Sequence, residues 1–361
     1  MGGGHDGGEC GEGGYRPSDY PRRPSRDRAG LVNCVGMRAG VESIRIRSTG
    51  NMRRTGRFTR ERWTEASMPR LTGSTFVVTG ANSGIGLEAA RYLASADARV
   101  ILACRDEERA QRARDGIRAS TPHGELLVRR VDLADLSSIR QFAERLASDN
   151  EGVHGLMNNA GVFALDRGRT RDGFETHFGV NHLGHFALTA LLMPNLSRVE
   201  GSRVVTVSSL GHRLGRLDLE DPMCERRPYS RWGAYFQSKL ANLLFSSELH
   251  RRLSASGHAT IAVSAHPGTA RTEIGRLGTS TINQLIRHFM PILVRDGVHG
   301  ARSQVRAAVD EGVHGGEFFG PRFMFFGAPV VEIPSRHARN DTDAKALWKL
   351  SEELTGISFE P

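Results

Sequence analysis

Lysine is almost missing from this 361-residue chain. Of 49 basic side chains only Lys239, Lys345 and Lys349 are lysines; the other 46 are arginines. Such a skew has the character of a genome-wide codon bias, not of a surface selected to grip phosphates. The formal charge of +9 therefore implies a general attraction for anions and no nucleic-acid partner. Cysteine is scarce too: Cys10, Cys34, Cys104 and Cys224 lie far apart, with no CxxC pair and no His-rich run beside them. That excludes a disulfide scaffold and a zinc module and fits a reducing cytoplasm. Long apolar runs are also lacking. The densest, Phe186 to Leu196, is broken by Thr189 and Pro194 and is too short for a membrane span. Histidines 182, 185, 212 and 266 form no HxH or HxxxH set, so no metal is expected.

Large apolar side chains are sparse in the first 67 residues, which hold 13 Gly and 13 Arg. Such composition cannot bury enough surface to offset its ordering entropy. We expect residues 1–67 to be a disordered extension, or translation to start at Met68, and residues 68–361 to form one domain.

From Leu71 onward short β-branched runs alternate with helical periodicity. Strands are expected at Phe76–Val78, Val100–Ala103, Leu126–Val131, Val153–Met157, Arg203–Val207, Thr260–Val263 and near Phe318. Between them lie helices at Ile85–Ala94, Glu107–Ala119, Leu136–Leu146, about Asn181–Leu196, Trp232–Leu253 and around Gly300–Asp310. This alternation predicts an α/β fold, a doubly wound Rossmann domain with about seven parallel strands and helices on both faces.

Three features carry chemistry. After the first strand comes Thr79-Gly80-Ala81-Asn82-Ser83-Gly84-Ile85-Gly86, a TGxxxGxG turn between strand and helix. Its glycines let the backbone approach a pyrophosphate at the helix N-terminus, which makes Gly80, Ser83, Gly84, Ile85 and Gly86 candidate dinucleotide contacts. Tyr235 and Lys239 are four residues apart on a predicted helix and share a face; an ammonium there favours the phenolate of a group whose pKa is ordinarily near 10. Ser209 ends the fifth strand in Val205-Thr206-Val207-Ser208-Ser209, at the edge that faces the ligand crevice. Its hydroxyl can donate to a carbonyl oxygen as charge develops there, with Ser208 as the alternative.

These motifs, with Asn158-Asn159-Ala160-Gly161, Gly179-Val180-Asn181-His182-Leu183-Gly184-His185-Phe186, Tyr235-Phe236-Gln237-Ser238-Lys239, His266-Pro267-Gly268 and Leu347-Trp348, resemble the short-chain dehydrogenase/reductase superfamily over about residues 70–355, and within it the retinol dehydrogenase-like branch. The resemblance implies that Asp132 bonds an adenine ring with Leu133 packed beside it, and that Asn159 and Gly161 line the nucleotide cleft. It implies that Asn181 holds a water in a proton relay toward Lys239, and that Pro267, Gly268 and Thr269 embrace the nicotinamide. It favours Ser209 over Ser208. An acid at the end of the second strand would select NAD; here Cys104 stands at that position with Arg105 next, and a guanidinium suits a 2′-phosphate. The expected cofactor is NADP(H).

The expected activity is interconversion of a carbonyl, a lipophilic aldehyde or ketone, and an alcohol, with Tyr235 as general acid/base assisted by Lys239, Ser209 and Asn181. The fairly apolar stretches 211–231 and 270–294 would form the substrate lip. Double-bond reduction, as in protochlorophyllide reductases, and a non-catalytic nucleotide-binding scaffold are the alternatives. The resemblance also leaves open a homodimer through helices 181–196 and 232–253, and peripheral membrane contact by the apolar 277–294 stretch.

Overall fold

The computed structural model describes residues 63–121, 123–149, 151–268 and 297–361. Eight strands form one sheet in the order β3-β2-β1-β4-β5-β6-β7-β8: β1 (Thr75–Thr79), β2 (Arg99–Cys104), β3 (Glu125–Arg130), β4 (Gly155–Asn158), β5 (Arg203–Val207), β6 (Ile261–Ala265), β7 (Phe318–Pro321) and β8 (Pro329–Glu332). The first seven run parallel. The eighth is one strand more than expected, and it pairs antiparallel with β7. The run Pro329-Val330-Val331-Glu332 is too short to stand out by pattern, and its leading proline suits the first position of an edge strand.

Alternation along each strand divides the core between the two faces of the sheet. Phe76, Val78, Val100 and Leu102 pack against α1 (Gly84–Ser95), α2 (Glu107–Arg118) and α7 (Gly297–Val309). Their neighbours Val77, Ile101 and Ala103 pack against α3 (Leu136–Ser148), α5 (Gly184–Leu196) and α6 (Arg231–Ala255). α5 is buried almost all round, as an apolar helix without a polar face must be. A last helix, α8 (Asp341–Thr355), was not anticipated as an element. Its Trp348 stacks on Phe245 of α6 at 5.9 Å, meets Phe186 of α5 edge-on at 5.2 Å and lies under the Arg252 guanidinium. The α5–α6 face along Phe186 and Phe245 is thus covered from within the same chain.

Packing starts before the expected boundary at Met68. Trp63 is buried in the core, and Glu65 accepts hydrogen bonds from Tyr92 of α1 (2.9 Å) and Arg302 of α7 (2.8 Å). The sequence-level boundary therefore falls inside a packed segment, because one tryptophan and one acid do not register against a glycine- and arginine-rich background. Among the described residues no helix is long and apolar enough to cross a membrane.

Candidate active site

Strand order reverses between β1 and β4, and ligands of doubly wound sheets bind outside the carboxyl ends of the strands at such a switch point. The glycine turn lies there. Gly80 and Gly84 both have positive φ, +67° and +56°, a conformation that glycine adopts without a steric cost. A Cβ on Gly86 would run into Asn159 Nδ2 and the Gly80 carbonyl, so α1 can lie this close to the turn only with glycine at that position. Asn159 ties the switch point together: its Nδ2 donates to the Thr79 carbonyl (2.8 Å), and its N–H and that of Ala160 donate to Thr79 Oγ1 (both 2.9 Å).

Two observations bear on whether a dinucleotide fits this cradle. Asp106, Asp135, Ser230 and Asn340 cap α2, α3, α6 and α8 through their side chains, whereas Ser83, at the N-cap of α1, makes no such bond. The first amides of α1 are left for an anion. Asn159 Oδ1 is buried without a partner. Both fit a bound diphosphate nucleotide.

At the end of β2, Cys104 is buried below the turn. Burial pushes its thiol up to about 11, opposed by hydrogen bonds from the Ala81 and Asn82 amides. Arg105 is exposed. Asp106 accepts the Arg109 N–H (3.0 Å) as the cap of α2. Asp132 is half-buried and accepts the Ala134 N–H (3.0 Å) in a local turn before α3, while Leu133 packs in the core.

The reactive side chains converge beyond β5. Tyr235 and Lys239 lie one turn apart on α6, both buried, with the ammonium 6.0 Å from the phenol ring centre. Burial pushes Lys239 down to about 8. Burial also pushes Tyr235 up to about 12, opposed by a hydrogen bond with the Ser209 side chain. The Tyr–Lys spacing predicts a pKa brought down toward the working range; in the protein alone burial raises it instead, against the Ser209 hydrogen bond, and the tyrosine stands protonated at neutral pH. Lys239 Nζ donates to the Val207 carbonyl (3.1 Å), which also accepts Asn242 Nδ2 (3.1 Å). Asn242 sits seven residues past Tyr235 on the same helix face, a spacing that could have pointed to it.

The two serines part company. Ser208 is buried and donates to the Lys239 carbonyl (2.7 Å), so its hydroxyl holds α6 to β5. Ser209 is half-buried at the start of the 3₁₀ turn Leu210–Leu214, where its Oγ accepts the Gly211 N–H (3.2 Å).

Asn181 is present but occupied. The expected helix 181–196 starts earlier, at α4 (Thr176–Phe178), and widens into a π-turn over Gly179–Leu183 before α5. Within that turn Asn181 Oδ1 accepts the Val162 N–H (2.7 Å), and its Nδ2 donates to the Val162 carbonyl (3.0 Å) and Ser238 Oγ (2.9 Å). A Cβ on Gly161 would lie 3.1 Å from Asn181 Oδ1 and 3.4 Å from Lys239 Nζ, so glycine there lets the Asn159–Gly161 turn close onto the lysine.

Pro267 and Gly268 follow β6, with Gly268 at φ +69°. Thr269 and the expected lip segment 270–294 lie outside the described residues. One wall of the site is aromatic and escaped sequence reasoning: Phe163 meets Tyr235 edge-on at 4.7 Å and Trp232 at 5.1 Å.

A sheet in this order, a glycine turn at its switch point and a Tyr-x-x-x-Lys pair beside a strand-end serine define a short-chain dehydrogenase. The family model described as short chain dehydrogenase matches residues 74–281, and the chain belongs to that family of oxidoreductases, which bind a nicotinamide cofactor. It is 44% identical over 293 residues to human (Homo sapiens) retinol dehydrogenase 12, covering 81% of this chain and 89% of the relative. It is 41% identical over 294 residues to human retinol dehydrogenase 11, with the same two shares covered. Among solved structures it is similar to an uncharacterised protein from Mycobacterium paratuberculosis: TM-score 0.71, 43% identity, covering 83% of this chain and 99% of that one. The retinol dehydrogenase-like branch is thereby supported.

Proposed function

We propose that the protein is an NADP(H)-dependent oxidoreductase that interconverts an apolar carbonyl and its alcohol, with Tyr235 as general acid/base. The observation that carries this reading is the convergence of a buried phenol, a buried ammonium and the Ser209 hydroxyl at the carboxyl end of β5. A bound nicotinamide supplies or takes up the hydride. Ser209 orients the carbonyl, and Tyr235, protonated at neutral pH, gives its proton to the oxygen as that atom gains charge. The phenolate left behind is steadied by Ser209 and by the Lys239 ammonium, itself held by the Val207 carbonyl. Asn181 acts by fixing the Val162 backbone and Ser238, next to the lysine.

An apolar substrate is supported by the Phe163–Trp232 wall and by the retinol in the relatives' names. NADP is supported by the exposed Arg105 and by the neighbouring acid, Asp106, being spent on its helix.

Tyr235→Phe keeps the ring and should lower kcat by roughly 10²–10⁴ with NADPH affinity nearly unchanged. Retention of more than about a third of wild-type turnover in a chemistry-limited assay would refute the mechanism. Arg105→Ala should weaken NADPH about tenfold, the solvent-exposed low end of a charge-assisted hydrogen bond, and leave NADH unaffected. Equal wild-type affinity for the two cofactors would overturn the NADP assignment.

A further inference from the structure

We propose that His212 and His266 are positioning residues, through which the segment 332–335 sets the placement of Ser209 on one side of the site and of the Pro267–Gly268 turn on the other. The inference rests on the roles given above to Ser209 and to that turn.

Both rings are fully buried. His212 Nδ1 lies 2.7 Å from the Ser209 carbonyl and donates to it, while its Nε2 accepts the Ser335 N–H (3.3 Å). His266 has the opposite arrangement. Its Nδ1 accepts the Gly268 N–H (3.1 Å), which puts the ring proton on Nε2, 3.2 Å from Glu332 Oε1. Each imidazole therefore gives one nitrogen to a backbone group at the edge of the site and the other to the last residue of β8 (His266) or to the chain just after it (His212). Phe318 of β7 packs against both rings, at 5.5 Å from His212 and 5.2 Å from His266. A Cβ at Gly320 would strike both His266 Nε2 and the Glu332 carboxylate, so that strand is glycine where the pair crosses it. Burial pushes His212 down to about 4, so its proton arrangement holds throughout the neutral range.

Both rings act through backbone groups, not on the reacting atoms. Their effect is geometric: the Ser209 carbonyl fixes the backbone from which its Oγ projects, and the Gly268 amide fixes a left-handed turn. Displacements of about 1 Å at such groups can cost on the order of 100-fold in rate.

Isosteric pairs separate the two nitrogens of each ring. Asparagine places its amide where Nδ1 sits; glutamine reaches only the Nε2 position. His212→Asn should keep kcat within about threefold, and His212→Gln should lose about tenfold, both with NADPH and NADH affinities within twofold of wild type by calorimetric titration. His266→Asn should keep cofactor affinity, and His266→Gln should weaken it about tenfold while kcat at saturation stays within threefold. The inference is overturned if Asn and Gln behave alike at each position, if kcat and cofactor affinity move together, or if all four variants fail to fold, which would make the rings plain core supports. Ser209→Ala separates this from the underlying reading: full turnover in that variant removes the role of Ser209 itself, whereas lost turnover with indistinguishable histidine pairs removes the inference alone.

Discussion

Lys239 shows at the scale of one residue how a site can be held against its own stability. Its ammonium is buried, and its pKa falls from 10.5 to about 8. Between these values the unfolded chain keeps the proton and the folded chain does not, so stability rises with pH through the window from about 8 to 10.5. Below pH 8 the whole penalty is present, about 3 kcal/mol at most. Lys239→Met removes it, and Asn242 remains as a partner for the Val207 carbonyl. The variant should melt a few degrees higher than wild type at pH 7 and lose turnover, with the gain shrinking above pH 8. A lower melting temperature at pH 7 would contradict this. The Tyr235–Lys239 pair was legible in the sequence because helical spacing alone brings i and i+4 together. The Glu332–His266 contact was not, since the partners are 66 residues apart and meet only once β8 has turned back along β7.

Elements repeat that lesson. Parallel strands announced themselves as apolar runs followed by periodic helices, and the central ones were found within a residue or two. β8 was missed for its shortness, and the π-turn at Gly179–Leu183 because it is set by the Asn181 bonds to Val162 and Ser238, which no local pattern encodes. The segment before β1 yields a direct test. Trp63 fills the core beside α1, and Glu65 bridges α1 and α7. Loss of a buried tryptophan costs about 3–5 kcal/mol. A chain lacking residues 1–67 should therefore melt several degrees lower than one lacking residues 1–62. Equal melting of the two truncations by circular dichroism would show that this packing contributes nothing.

Across the whole molecule, neutral histidines are part of the interior. Burial pushes His182 down to about 3, and His185 and His212 to about 4, each from 6.5. Folded-state values below the unfolded one mean that the unfolded chain takes up these protons first, so the stability they protect is complete above pH 6.5 and falls away as pH drops toward 4. Thermal melts should decline steeply over that interval, and less steeply in His185→Gln. A flat profile from pH 6.5 to 4 would show that these rings do not govern acid unfolding.

The chain carries only three indoles, and their distribution has an optical consequence. Trp63 and Trp348 are sealed in the core, whereas Trp232 is half-buried against Phe163, itself in contact with Tyr235. All three absorb together, but this one ring adjoins the Phe163–Tyr235 pair of the candidate site while the other two form a constant background. Occupancy of the site is thereby written into the native emission of the protein, to be read without a label.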